Sequence, residues 1–421
     1  MPAVHPAFKV ESAVSFAAPA QATAVLAALA ATPTNATAGF AAKSAGLIME
    51  ALQTNAERAE RYNTLGNQLV QQGDLEAAAS AFLSAVSLKS DDANLWNNLG
   101  SVRHRQKNYA AAENDYRNAL RYDADFVPAL GNLAALLMET GREEEASLLT
   151  CRAFVLPPLE GKSNEMLGIA YYRLGRSADA AACYRAWLRE EPGNPIAKYR
   201  LIACSGEEVP ARTPDTFVKR LFDEMAGSFD EKLVGKLAYR GPQIVAELVA
   251  GQLPANGRFD VLDAGCGTGL CAPLFAPYAR RLTGVDISAG MLAKARQHQE
   301  YAELHEAELT AWLRTQHQAY DLIVMADTMI YFGDLRELLG GIRQSLRAGG
   351  LFAFTTEQPM QDACTAAGYH LKPSGRFGHS SGYLARALAD AGLGIKIERN
   401  VTLRSEFCQP IHGIAVLAYA K

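Results

Sequence analysis

Several features are missing from this sequence, and each absence narrows what it does. Seven cysteines stand at positions 151, 183, 204, 266, 271, 364 and 408, and no two form a CxxC pair. An odd number scattered along 421 residues is no disulfide framework, so buried thiols in a reducing compartment are expected. No apolar run approaches the roughly 18–20 residues of a membrane span. The opening MPAVHPAFKVESAVSFAAPA has no basic start leading into an apolar block, which speaks against a cleaved signal peptide. Cytoplasmic localisation and no membrane partner are therefore expected. Charge of one sign is scarce too: 41 basic against 45 acidic side chains leave −4, which gives no reason to expect nucleic acid as a partner. No His, Cys and carboxylate cluster shows metal-ligand spacing, so no metal is expected. What is present, 49% apolar and 20% charged residues, excludes a mostly disordered chain. At about 100–200 residues per domain, the length suggests two or three domains.

Residues 1–58 are rich in Ala, Thr and small polar residues, with QATAVLAALAA and AAKSAGLIMEALQ reading as short helices around the breaker TPTNATAG. They are expected to form a partly helical leader. A repeat follows. Tyr62, Trp96, Leu130 and Asn164 are 34 residues apart, as are Leu65, Leu99, Leu133 and Leu167, and Gly66, Gly100, Ala134 and Gly168. Ala78, Ala112, Ala146 and Ala180 keep the same register, with Phe82, Tyr116, Thr150 and Tyr184 four residues later. Small residues let paired helices approach, and the rings fill the gap beside them. Gly73, Gly141 and Gly175 fall at turns, and Pro158 and Pro192 at repeat ends. The third repeat is the least regular, with Ala134 and Thr150.

This pattern resembles tetratricopeptide (TPR) repeats. It implies a solenoid over residues 59–205, four repeats plus the capping helix IAKYRLIACSG, with a groove for a peptide or protein partner. Asn63, Asn67, Asn97, Asn98 and His104 would face that groove, where amides can pair with a peptide backbone, unless they are merely solvated. Residues 206–250 read as a linker, EEVPARTPDTF, followed by helices. From Phe259 short apolar runs alternate with helical patterns, the mark of a parallel α/β sheet over 251–421. The last two strands read as an antiparallel hairpin.

VLDAGCGTGL carries the chemistry. A strand runs into Asp263-Ala-Gly265-Cys-Gly267-Thr-Gly269 and then a helix, so a ligand can lie against bare backbone. The dinucleotide fingerprint G-x-G-x-x-G fails in register, because the third glycine would fall on Leu270. The spacing is D-x-G-x-G-x-G, which resembles the first motif of class I S-adenosylmethionine (SAM)-dependent methyltransferases. Asp286 closes the next strand, 19 residues after Gly267, where an acid accepts bonds from a ribose diol. Ser288 can cap the following helix, while Ile287 and Met291 offer apolar contact to adenine.

By the same resemblance, Glu308 in HEAEL takes the adenine amino group, with Glu306 as runner-up and the Leu309 N–H to the ring. Asp327, Thr328 and Tyr331 fall where the methionine part and the substrate are held. FDEMAGSFDEKLVGKLAYRGP, GRFGHSSGYLARAL and TLRSE…IHGIAVL resemble bacterial methyltransferases fused to TPR repeats, over roughly 59–421. The segment before the first strand then acts as a lid. Phe222, Met225, Phe229 and Tyr239 cover the sulfonium, and Arg240 meets the cofactor carboxylate, against the alternatives of plain helix packing and a surface salt bridge.

The fold class expected is thus α plus α/β multidomain: an N-terminal TPR α-solenoid, then a Rossmann-like class I methyltransferase domain with a seven-stranded, mostly parallel sheet and a terminal antiparallel hairpin. For a base, Glu357, Tyr369, Arg376, His379 and Tyr331 come into view; His379 stands first for its near-neutral pKa, against a structural role capping a helix. Arg376 would hold a substrate carboxylate or phosphate. The activity expected is methyl transfer to N or O of a peptide or protein positioned by the repeats. The alternatives are a small-molecule enzyme whose repeats dimerise or shape the pocket, and a SAM-binding scaffold without catalysis.

Overall fold

The computed structural model describes residues 54–231, 237–253, 258–360, 367–406 and 409–421. Residues 1–53, almost all of the expected leader, lie outside them. Two compact units divide the chain, Met1–Leu136 and Leu137–Lys421.

In the first unit, α1 (Asn55–Gln72), α2 (Leu75–Leu88), α3 (Ala93–Arg105) and α4 (Tyr109–Tyr122) are two helix pairs, and α5 (Val127–Glu139) runs through the division. Local chemistry starts and stops them. Thr54 and Glu57 form a reciprocal capping box, Asp74, Asp92 and Asn108 cap the next helices, and Gly73 ends α1 at φ 84°. The repeat signature is a packing contact: a Cβ on Gly66 would sit 2.7 Å from the Phe82 ring, and one on Gly100 2.8 Å from Tyr116. The amides expected to face a groove are largely used within the unit. Asn98 donates to Asn63 at 3.0 Å and Asn132 to Asn97 at 2.9 Å, with Asn63 and Asn97 buried. His104 packs edge-on against Tyr109 and Tyr116, and Asn67 alone of the five is exposed.

The second unit opens with α6 (Glu143–Phe154), α7 (Asn164–Arg173), α8 (Ser177–Glu190) and α9 (Pro195–Ser205), followed by α10 (Asp215–Met225) and α11 (Gly241–Val249). Gly168 again lets a ring approach, its Cβ position 2.4 Å from Tyr184. Then come β1 (Phe259–Ala264), α12 (Ala272–Phe275), β2 (Ala279–Asp286), α13 (Ala289–Ala295), β3 (Glu303–Glu306), α14 (Leu309–Arg314), β4 (Tyr320–Met325), α15 (Arg336–Ser345) and β5 (Leu346–Glu357). The chain closes with β6 (Tyr369–Leu371), β7 (Phe377–His379), α16 (Ser381–Asp390), β8 (Leu393–Glu406) and β9 (Gln409–Ala420).

Strands β3-β2-β1-β4-β5 are parallel, and β9 lies antiparallel between β5 and β8. Strand β1 is buried almost throughout, as a parallel strand covered on both faces must be, and apolar clusters around Leu262/Phe352 and Val261/Val324 cover the two faces. The described residues hold nine strands rather than seven. The two added ones, β6 and β7, form a hairpin that touches the end of β5 at Glu357↔Gly378. That hairpin also explains where the chain divides. Tyr184, Trp187, Ile196 and Tyr199 of α8 and α9 share one apolar cluster with Phe217, Leu371 and Phe377. The Tyr199 hydroxyl donates to the Gly375 carbonyl at 2.9 Å. No described helix is long and apolar enough to cross a membrane.

Candidate functional site

At the carboxyl ends of β1, β2 and β4, where loops leave an open parallel sheet, a cavity of about 1110 Å³ opens. Its floor is the glycine loop, with Gly265, Gly267 and Gly269 at φ 76°, 54° and 93°. Each glycine does something different. A Cβ on Gly265 would strike Thr328 Oγ1 at 2.2 Å, and one on Gly269 would reach His298 at 2.9 Å. On Gly267 a Cβ meets nothing within 4 Å, and the residue lines the cavity. The bare backbone there is a cradle that a side chain would fill. Gly269 turns the chain behind the cavity without lining it.

Asp286 ends β2 facing this loop. One of its oxygens accepts from Gly267 N at 2.9 Å and the other from Ser288 N at 2.8 Å. A carboxylate has about four lone-pair sites, so acceptor capacity remains for a ribose hydroxyl. Burial pushes its carboxyl up from the ordinary value despite the backbone N–H groups of Ser288, Gly267 and Ile287 around it. Asp263 is buried beneath the loop and accepts the Tyr301 hydroxyl at 2.6 Å; burial pushes it up to about 7. Ile287 and Leu309 line the cavity.

Met291 does not: it is fully buried in α13, so it faces the core and not an adenine. Glu308 lines the cavity, but its four acceptor positions are taken. It caps α14 through Thr310 N and Ala311 N, accepts Thr310 Oγ1, and accepts Arg212 at 2.9 Å. Accepting an adenine amino group would displace one of these. Glu306 is half exposed and bound to Lys219 Nζ at 2.6 Å.

The segment before the sheet lies over the loop. Phe222, Met225, Phe229 and Tyr239 all line the cavity, with Phe222 edge-on to Phe229 and to Tyr331 at 5.9 and 5.6 Å. Polar bonds pin this cover. Asp223 accepts Ser288 Oγ at 2.5 Å and Gly290 N at 3.1 Å, and Asp230 accepts Thr268 Oγ1 at 2.5 Å. Arg240 points away. It is exposed, pairs with Glu247 at 3.0 Å and does not line the cavity, so a surface ion pair replaces the expected cofactor contact.

The far end is built on ions. Glu357 is 1% exposed and bound by Lys372 Nζ and Arg376 Nε, each at 2.8 Å, and by Arg404. Burial alone would raise its carboxyl, but Arg376, Arg404 and Lys372 outweigh it and hold the group at about 2. Arg404 also meets Asp327 at 2.5 Å and Glu406 at 2.6 Å, while Arg376 meets Glu406 at 2.5 Å. Asp327 and Arg376 both line the cavity but are committed to this network. Tyr331 lines it with its hydroxyl pushed up to about 12, chiefly by burial, so it stays protonated. Thr328 lines it beside Gly265.

His379 is fully buried away from the cavity. Its Nε2 lies 2.8 Å from the Phe332 carbonyl and must donate to it, leaving Nδ1 to accept from Thr356 Oγ1 at 2.7 Å. Burial holds its pKa down at about 4. It is a strut and no base. Tyr369 packs edge-on against Phe377, outside the cavity lining. The unfolded chain protonates this histidine near 6.5 and the folded chain only near 4. Its stability contribution is therefore full above pH 6.5 and is lost as pH falls toward 4, on the order of 3 kcal/mol in all. His379→Gln is expected to flatten the pH dependence of urea unfolding across that window. An unchanged slope would show that the ring titrates freely.

Sequence reasoning passed over Arg404 and Glu406, although TLRSE contains both, and over Tyr172 and Arg200, which reach the cavity from α7 and α9. Their opposite charges two residues apart in a strand were the available signal for the first pair. No local signal marked the second.

Over residues 261–350 the chain matches the family described as Methyltransferase domain. Over 66–107, 103–149 and 164–204 it matches families described as TPR repeat or Tetratricopeptide repeat. It is 37% identical over 114 residues to malonyl-(acyl-carrier protein) O-methyltransferase of Acetivibrio thermocellus, covering 25% of this chain and 38% of that protein. To trans-aconitate 2-methyltransferase of Paracidovorax citrulli it is 33% identical over 119 residues, 28% of this chain and 45% of that protein. A solved structure of 1,6-didemethyltoxoflavin-N1-methyltransferase from Burkholderia thailandensis is 17% identical with a TM-score of 0.40, covering 51% of this chain and 93% of that one. The chain spans less than half the length of the two curated relatives. It carries TPR repeats followed by a class I SAM-dependent methyltransferase domain.

Proposed function

We propose that this protein transfers a methyl group from SAM to a small-molecule acceptor, with the last repeat helices closing the acceptor's end of the pocket. The observation that carries this is the continuity of the cavity. One space is lined by Gly267 and Asp286 and also by Ile169, Tyr172 and Arg200 of α7 and α9. SAM supplies an activated methyl carbon on a sulfonium, open to in-line attack. For their part, Gly267 leaves room beside the loop and Asp286 keeps acceptor capacity for a ribose hydroxyl. Ile287 offers an apolar face, and Leu309 presents its N–H at the start of α14. Phe222, Met225 and Phe229 exclude water, which strengthens polar contacts inside. Tyr331, protonated at neutral pH, can donate to an acceptor oxygen.

The names of the curated relatives favour oxygen and small acids: trans-aconitate is one, and malonyl carries a carboxyl group. A peptide acceptor draws less support, because Asn63, Asn97 and Asn98 spend amide groups on helix–helix bonds. The test uses the full chain with SAM labelled in its methyl carbon and a bacterial lysate. Label in the small-molecule fraction is expected. Label confined to protein would move the acceptor onto a polypeptide, and no SAM affinity would remove the methyltransferase reading altogether.

A further inference from the structure

We infer that the acceptor is a carboxylic acid, held as its anion by Arg200 and methylated on that carboxylate to give a methyl ester. This rests on the methyltransferase reading above and goes on to name the acceptor's chemistry.

The charges at the far end of the cavity show what is missing. Lys372, Arg376 and Arg404 face Asp327, Glu357 and Glu406, and the ion pairs among these six balance. Arg200 is an additional cation lining the same cavity, and no carboxylate pairs with it among the described residues. Its Nε is buried without a well-formed hydrogen bond, as is the hydroxyl of Tyr184, which lies against the same guanidinium. Tyr172 lies within electrostatic reach of Arg376, Glu406, Glu357 and Arg200 together, so Arg200 belongs to this end of the pocket. Arg200 is partly buried without an anion, and a planar carboxylate is a partner its fork fits.

Catalysis points the same way. An alcohol or a protonated amine must lose a proton before or during attack. At the far end, Asp327 and Glu406 are ion-paired, and His379 has both ring nitrogens bonded. Tyr331 keeps its proton. A carboxylate needs no base at neutral pH. Its oxygen forms the new O–C bond as the C–S bond breaks, and the electron pair goes to sulfur. Anion and sulfonium become neutral ester and thioether, and no proton moves.

The experiment titrates the full chain, saturated with S-adenosylhomocysteine, with glutarate at constant ionic strength. Glutaramide and inorganic phosphate are run in parallel. Glutarate is expected to bind, and glutaramide and phosphate to bind less well. Arg200→Gln is expected to weaken glutarate about 10- to 100-fold, the size of one charge-assisted bond. Arg200→Lys, which keeps the charge, should lose less. S-adenosylhomocysteine affinity in both variants reports an intact fold. Failure of glutarate to bind the wild type, equal binding of glutaramide, tighter binding of phosphate, or glutarate affinity unchanged in Arg200→Gln would each overturn the assignment. So would a methylated product that survives mild alkali, since an ester releases methanol. Loss of S-adenosylhomocysteine binding by the wild type would instead refute the underlying methyltransferase reading.

Discussion

Replacing Asp286 by alanine is expected to lower the affinity for S-adenosylhomocysteine by about 100-fold or more, since hydrogen bonds to charged groups contribute about 1.5–3 kcal/mol each and two are lost. The side chain acts twice. Its oxygens hold the N–H groups of Gly267 and Ser288, and so fix the loop against the start of α13. Their remaining lone pairs face the cavity that Asp286 lines. Alanine removes both actions and leaves two backbone donors unpaired. Asparagine separates them, because its single carbonyl oxygen can satisfy one N–H while its amide opposes the other. Calorimetry on the full chain gives the affinity, and thermal unfolding shows whether α7 to α9 remain folded. Unchanged affinity in the alanine variant would put the nucleoside elsewhere.

The second large effect belongs to Glu357. Glu357→Gln leaves Lys372, Arg376 and Arg404 facing a neutral amide in a site 1% exposed. Breaking a buried ion pair by removing one partner costs about 3–5 kcal/mol. The acid dependence identifies the cause. The carboxyl is held at about 2 in the folded chain against 4.5 ordinarily. Its contribution is therefore complete above pH 4.5 and is lost as pH falls toward 2. Wild type and variant should differ most in urea unfolding near pH 7 and converge as pH approaches 2. A gap of the same size near pH 7 and pH 3 would mean that shape, and not charge, is what the variant disturbs.

What was legible in the chain is what the backbone itself demands. Gly66 with Phe82, Gly100 with Tyr116 and Gly168 with Tyr184 could be read because a ring excludes a Cβ at a fixed offset. The loop at Gly265, Gly267 and Gly269 could be read because all three take positive φ. Phe222, Met225, Phe229 and Tyr239 came into view through the family resemblance, and all four line the cavity. Side chains whose fate depends on distant partners could not be read. His379 is fixed by a carbonyl 47 residues away, and Glu308 gains Arg212 from 96 residues away. Arg240 sits just before α11 with Glu247 within reach on that helix, a local pair that competed successfully for it. The hairpin β6–β7 was hidden because each strand has three residues, too few for an alternation to register.

The apolar cluster that joins α8 and α9 to the β6–β7 hairpin also bears on how such a chain can change over generations. Repeats usually multiply or vanish as whole cassettes, because each touches only its neighbours. Here Trp187 of the fourth cassette and Tyr199 of the capping helix interlock with Phe217, Leu371 and Phe377. Duplication or loss among the earlier repeats leaves that lock alone. Substitution in the fourth must be answered by substitution in the enzyme half. Lineages should therefore vary in repeat number upstream while inheriting the fourth repeat and the hairpin together, as one linked unit.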